Sequence, residues 1–158
     1  MAFLLDRTRS VGPENYRLLK GFVLEIVDSL DISPETTHAA FITFAGFAKI
    51  LNSLNDSAYH SNEAVHNLIR DSSNYLGGRT YIDRALHEAD KKIFTFEAGS
   101  RPDIPKVLIL LTDGRTNRNS TSYENIIPRF QVSILAVEGK REENMMSKSK
   151  QSNSTVVK

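Results

Sequence analysis

The sequence predicts an α/β domain built on a mostly parallel sheet, and three observations carry that prediction. Strand-like and helix-like stretches alternate along the chain. Lys106 to Leu111 is almost wholly apolar, as a central parallel strand covered on both faces must be. Two stretches, Pro13 to Leu30 and Thr80 to Ile93, repeat apolar residues at three- and four-residue steps, which gives each helix one core-facing side.

Taken in order, Ala2 to Leu5 reads as a short buried strand. Pro13 suits the first turn of the following helix, where its missing N–H costs nothing, and Glu14 lies near the positive end of the helix dipole. Leu19, Phe22, Val23, Ile26, Val27 and Leu30 form its apolar face, and the loop Asp31 to Thr37 ends it. Ala39 to Phe44 is the next strand, and Phe47 to Leu51 turns back about Gly46 as an antiparallel edge partner. A polar stretch, Asn52 to Asn62, precedes a modest helix around Ala64, Val65, Leu68 and Ile69. Gly77-Gly78 breaks the chain before the second strong helix, whose stripe is Ile82, Ala85, Leu86, Ala89 and Ile93.

After the loop Ala98 to Pro105 comes the apolar strand already noted. Tyr123 to Ile127 is expected to form a short helix stopped near Pro128, and Gln131 to Val137 a last strand. From Lys140 the chain turns to Lys, Glu, Ser, Asn and Gln without apolar periodicity. Residues 1–139 are therefore expected to be the folded domain and 140–158 a disordered polar tail.

Composition narrows the function classes. A chain of 158 residues, 40% hydrophobic and 25% charged, fits one globular domain with a sizeable core. A formal net charge of +1 argues against a broad nucleic-acid surface. No cysteine is present, which removes disulfides, thiolate metal sites and cysteine nucleophiles. No apolar run reaches the length of a bilayer span, and Met1 to Leu5 is too short for a signal peptide. Asn55-Asp56-Ser57, Asn119-Ser120-Thr121 and Asn153-Ser154-Thr155 match the glycosylation pattern, which chance also produces. His38, His60, His66 and His87 share no metal-ligand spacing, and no nucleophile–base pair marks a catalytic cleft, so the chain is expected not to be an enzyme.

The chemistry is concentrated where strands end. Asp6-Arg7-Thr8-Arg9-Ser10 leaves the first strand, Thr112-Asp113-Gly114 leaves the apolar one, and Thr80 opens a helix just after Gly77-Gly78. Ligands of open parallel sheets collect beyond the carboxyl ends of strands, so the two carboxylates are expected to converge there. Two carboxylates and three hydroxyls are oxygen-only donors, which select a hard ion: magnesium, manganese or calcium. So few protein oxygens leave room for water or for a donor from outside.

These three segments resemble the metal-ion-dependent adhesion site of von Willebrand factor type A domains. The surroundings are similar too: Phe3-Leu4-Leu5-Asp6 before Val11-Gly12-Pro13-Glu14-Asn15-Tyr16, then Phe41-Ile42-Thr43-Phe44, Tyr75-Leu76-Gly77-Gly78 and Lys106 to Leu111. The likeness covers roughly residues 2 to 139. It implies a doubly wound, Rossmann-like sheet with helices on both faces and one antiparallel edge strand. It also implies one bound Mg2+ (or Mn2+ or Ca2+) held by Asp6, Thr8, Ser10, Thr80 and Asp113.

By the same resemblance the chain would be an adhesion module of the matrilin or collagen-associated kind. It would bind an acidic residue of a protein ligand, such as collagen, in the extracellular matrix. Three departures stand out: Thr8 where the family commonly has serine, Arg7 and Arg9 beside a cation site, and a polar Lys140 to Lys158 where the family adds a final strand and helix. A domain missing those elements is expected to be less stable than a complete one. An intracellular interaction domain of the same fold and a metal-free structural remnant are the alternatives. An enzyme or nucleotide-binding protein would need a Gly-rich phosphate loop, which is absent.

Overall fold

The computed structural model describes residues 1–72, 75–114, 117–120 and 125–136. Its centre is a five-stranded sheet of β1 (Ala2–Asp6), β2 (Ala40–Phe44), β3 (Ala48–Asn52), β4 (Val107–Thr112) and β5 (Gln131–Ala136). The order is β3-β2-β1-β4-β5, parallel throughout except for the antiparallel β2–β3 edge. The chain therefore winds outward from β1 to β3 and then crosses back to lay β4 on the other side of β1. That reversal puts a crevice between the carboxyl ends of β1 and β4.

Helices cover both faces. Along β1, Phe3 and Leu5 pack with Tyr16, Leu19, Val23 and Val27 of α1 (Gly12–Asp28) and with Val65 and Ile69 of α2 (Asn62–Asp71). Ala2 and Leu4 face the other way, against Ile82, Ala85 and Leu86 of α3 (Ile82–Glu88) and against Ala89 and Ile93. Every residue of β1 and β2 is buried, which explains why both are apolar except for Asp6 and Thr43. β3 lies at the edge and is mostly half-exposed.

Polar side chains close the joints that the apolar pattern leaves open. Asn62 at the start of α2 donates to Val27 O (2.7 Å) and Leu30 O (2.9 Å), satisfying carbonyls at the end of α1. Asn52 accepts from Phe41 N–H at 2.9 Å and donates to Ala39 O at 2.8 Å, where the β2–β3 register shifts. Ser61 caps α2 by accepting from Ala64 N–H.

Two details differ from expectation. The stripe of the second strong helix continues to Ile93, but Ala89–Ile93 is a single wider turn with five-residue spacing. Phe94 N–H reaches Ala89 O at 2.9 Å, and both Ile93 and Phe94 are buried as a result. Instead of stopping a helix, Pro128 lies inside a 3-10 turn, Ile127–Arg129, where its fixed φ is compatible with the first turn. The earlier part of the helix expected at Tyr123 to Ile127 falls outside the described residues, as do Val137 and the tail from Lys140. Among the described residues no helix is long and apolar enough to cross a membrane.

Candidate metal centre

The crevice between β1 and β4 is where the oxygen-bearing residues meet. Asp6 is the last residue of β1, fully buried, and period-two alternation puts it on the side opposite Leu5. Thr112 ends β4 one step beyond the Leu5–Leu111 register pair. Its hydroxyl donates to Asp6 Oδ2 at 2.6 Å, a short charge-assisted bond. The other oxygen, Oδ1, accepts from Thr8 N–H at 2.9 Å. The carboxylate is thus held from both sides.

The hydroxyls follow in a chain. Thr8 Oγ1 lies 3.0 Å from Ser10 Oγ, and Ser10 Oγ lies 3.5 Å from Thr80 Oγ1. Thr8 and Thr80 are buried, whereas Ser10 is exposed at the mouth. Asp113, half-buried, sits next to Thr112 at the same strand end. Its charge is felt at Asp6, so the two carboxylates share one electrostatic neighbourhood. All five sequence-derived candidates, Asp6, Thr8, Ser10, Thr80 and Asp113, therefore gather at one crevice.

Two glycines hold the mouth together. Gly77 and Gly78 have φ of +73° and +100°, a region that disfavours side chains. Gly77 N–H donates to Arg7 O and Arg9 N–H donates to Gly78 O, each at 3.2 Å. The pair therefore laces the loop before α3 onto the loop after β1 and carries Thr80 to Ser10. Asn117 N–H in turn donates to Thr80 O at 2.8 Å, bringing in the segment after β4.

The electrostatics fit a cation. Burial pushes the Asp6 carboxyl above the ordinary value of 3.8; the bonds from Thr112 and Thr8 pull it back, and the nearby Asp113 charge pushes it up again. Two carboxylates brought together in a partly dry crevice repel each other, and a divalent cation between them removes that cost. The hydroxyls of Thr8 and Ser10, hydrogen-bonded at 3.0 Å, and that of Thr80, 3.5 Å from Ser10 Oγ, are neutral oxygen donors of the kind a hard cation takes. Among the described residues no three His, Cys, Asp or Glu side chains form a metal-binding group, so any ion here depends on the hydroxyls.

Arg7 and Arg9 take different routes. Arg7 is buried, and alternation sends its side chain to the α1 face, where its charge acts on the Tyr16 hydroxyl. Arg9 is exposed. The residue that sequence reasoning did not single out is Thr112, quoted only within the segment Thr112-Asp113-Gly114. Its signal is its place: the last residue of a central parallel strand, directly beside the strand that ends in Asp6.

Thr112→Val keeps the side-chain shape but removes the donor to Asp6 and the acceptor of Gly114 N–H (3.2 Å). The variant is expected to lose about 1–3 kcal/mol of stability, measured by urea titration without metal, because a buried carboxylate loses a partner. Its Asp6 carboxyl is expected to titrate higher than in wild type, by NMR.

Comparison with known proteins gives a consistent picture. A family model described as the von Willebrand factor type A domain matches residues 1–156. Matrilin-3 of Gallus gallus is 35% identical over 121 residues, covering 73% of this chain and 25% of its own length. Matrilin-1 of Homo sapiens is 31% identical over 116 residues, covering 73% of the chain and 23% of its own length. The chain thus spans about a quarter of these relatives. Among solved structures, a mussel byssus proximal thread matrix protein 1 with a zinc-occupied MIDAS motif aligns with a TM-score of 0.71 and 31% identity, over 85% of this chain and 34% of that one. The manganese-loaded TRAP protein of Plasmodium vivax aligns with a TM-score of 0.73 over 99% of this chain and 66% of that one. At 16% identity it speaks to the fold alone.

Proposed function

Because this chain belongs to the von Willebrand factor type A family, we propose that it is a protein-binding adhesion module. It engages an acidic side chain of its partner through one divalent cation held at the β1–β4 crevice. The observation that carries the reading is the connected set of oxygens, from Thr112 through Asp6, Thr8 and Ser10 to Thr80, beside Asp113. Asp6 and Asp113 supply the negative charge, while Thr8, Ser10 and Thr80 supply neutral oxygens. An ion of the magnesium, manganese or calcium class held by these oxygens would leave a coordination position for a partner's carboxylate.

The protein's own residues set the conditions for that contact. Thr112 and Thr8 N–H fix the orientation of Asp6, so the carboxylate needs no rearrangement. The Gly77-Gly78 lacing fixes Thr80 opposite Ser10. Ser10 is exposed, so the mouth of the crevice is accessible to a partner.

The matrilin relatives and the byssal matrix protein support an extracellular-matrix setting and a matrix-protein ligand such as collagen. Calorimetric titration of magnesium and manganese tests the reading. Wild type is expected to bind one ion, and Asp113→Ala, still folded by circular dichroism, to bind at least tenfold more weakly. A folded wild type that takes up neither ion would leave only a metal-free remnant of the fold.

A further inference from the structure

Three exposed arginines surround the mouth of the crevice. Arg9 lies between Thr8 and Ser10, and Arg79 immediately precedes Thr80. The Arg9 N–H to Gly78 O bond, 3.2 Å, sets these two segments side by side. Arg118 follows Asn117, whose N–H bonds Thr80 O at 2.8 Å. Each arginine thus makes, or lies one residue from, a backbone bond at the crevice, and each comes from a different loop. None of the three forms an ion pair among the described residues. The acidic residue at the start of α1, Glu14, is already paired with Arg17 at 2.7 Å. Asp83, at the start of α3, is buried.

This is a local concentration of positive charge on a chain whose formal net charge is only +1. Beside it, Leu76 is 51% exposed, next to Gly77 whose N–H bonds Arg7 O. Positive charges around a cation site oppose the ion and are therefore costly unless something else uses them.

We infer that the partner of this site is an acidic peptide segment: one carboxylate for the ion, further carboxylates on either side for Arg9, Arg79 and Arg118, and an apolar residue for Leu76. The inference rests on the adhesion reading above. An extended peptide places alternate side chains about 7 Å apart on one face, which suits a central acid flanked by others. Guanidinium groups take carboxylates in a bidentate fork that a lysine cannot copy. A sulfated polysaccharide fits less well, because it has no use for Leu76.

The test uses two labelled peptides in magnesium, followed by fluorescence anisotropy. One carries a leucine and a central glutamate with an aspartate two residues away on each side; in the other both aspartates are asparagine. Wild type is expected to prefer the first at least tenfold, and raised salt is expected to narrow the preference. The double variant Arg9→Gln with Arg79→Gln is expected to reduce the preference below threefold. Both side chains are exposed, so its melting temperature is expected to match wild type.

Equal affinity for the two peptides, no binding of either, or a preference that survives the double variant would overturn the inference. So would tighter, magnesium-independent binding of a heparin-derived oligosaccharide, which would assign the rim to a polysaccharide. Calorimetry on the same samples separates the two levels. Magnesium bound without peptide discrimination refutes the arginine rim alone, and no magnesium bound refutes the adhesion reading with it.

Discussion

Asp6→Asn is expected to abolish cation binding while leaving the fold intact. The change removes the buried negative charge but keeps the shape of a residue that is fully buried at the end of β1. The amide oxygen still accepts from Thr8 N–H, and the amide nitrogen turns toward Thr112, whose hydroxyl can rotate to accept. In wild type, a magnesium concentration one hundred times the dissociation constant is expected to add about 2.7 kcal/mol of stability. For a domain of this size that is a rise of about 5–10 °C in melting temperature. In Asp6→Asn the rise disappears.

The same variant has a pH signature without metal. Burial raises the folded-state carboxyl of Asp6 above 3.8. Asp6 therefore favours folding fully below the unfolded value, and that contribution is lost as pH rises through the folded value. Asp6→Asn removes this loss, so its metal-free stability is expected to fall less than wild type over that window. Magnesium affinity in wild type runs the other way, weakening as pH drops and the carboxyl takes up its proton. Thermal melts across the acid range with and without magnesium read both effects.

Phe41→Ala is expected to cost the most stability. Phe41 lies in β2, fully buried, with its ring stacked on Phe3 at 4.9 Å and 7° between planes. The same core holds Val23 and Val27 of α1 and Val65 and Ile69 of α2. Truncating such a ring removes its transfer energy and leaves a cavity, about 3–5 kcal/mol. The melting temperature should fall by roughly 6–20 °C. Phe41 belongs to the core on the α1 side, whereas Asp6 points to the other side of the sheet. The folded fraction of Phe41→Ala is therefore expected to bind magnesium with near wild-type affinity by calorimetry.

The fold could be read from sequence because its signals are strong and local. Val107 to Thr112 has no polar residue before its end, and the helix stripes have one period each. The strand ends beside Asp6 and Asp113 could be read for the same reason: an apolar strand stops at, or one residue before, a carboxylate. What sequence could not show were contacts set by register. Thr112 meets Asp6 only because β4 lies beside β1, a neighbour 106 residues away. The destination of Arg7 needed the alternation of β1 extended past its last residue, into a loop. The wide turn at Ala89–Ile93 has the same apolar spacing as an ordinary helix, so periodicity alone could not separate the two. The ligand set itself came from resemblance, since hydroxyls and carboxylates at loop junctions also make ordinary turns.

The most direct measurement is an anomalous-difference map from crystals soaked in manganese. The account predicts one strong peak in the β1–β4 crevice, bounded by Asp6, Thr8, Ser10, Thr80 and Asp113 and absent from Asp113→Ala crystals grown alike. An empty crevice at saturating manganese, or a peak held by other residues, would contradict it.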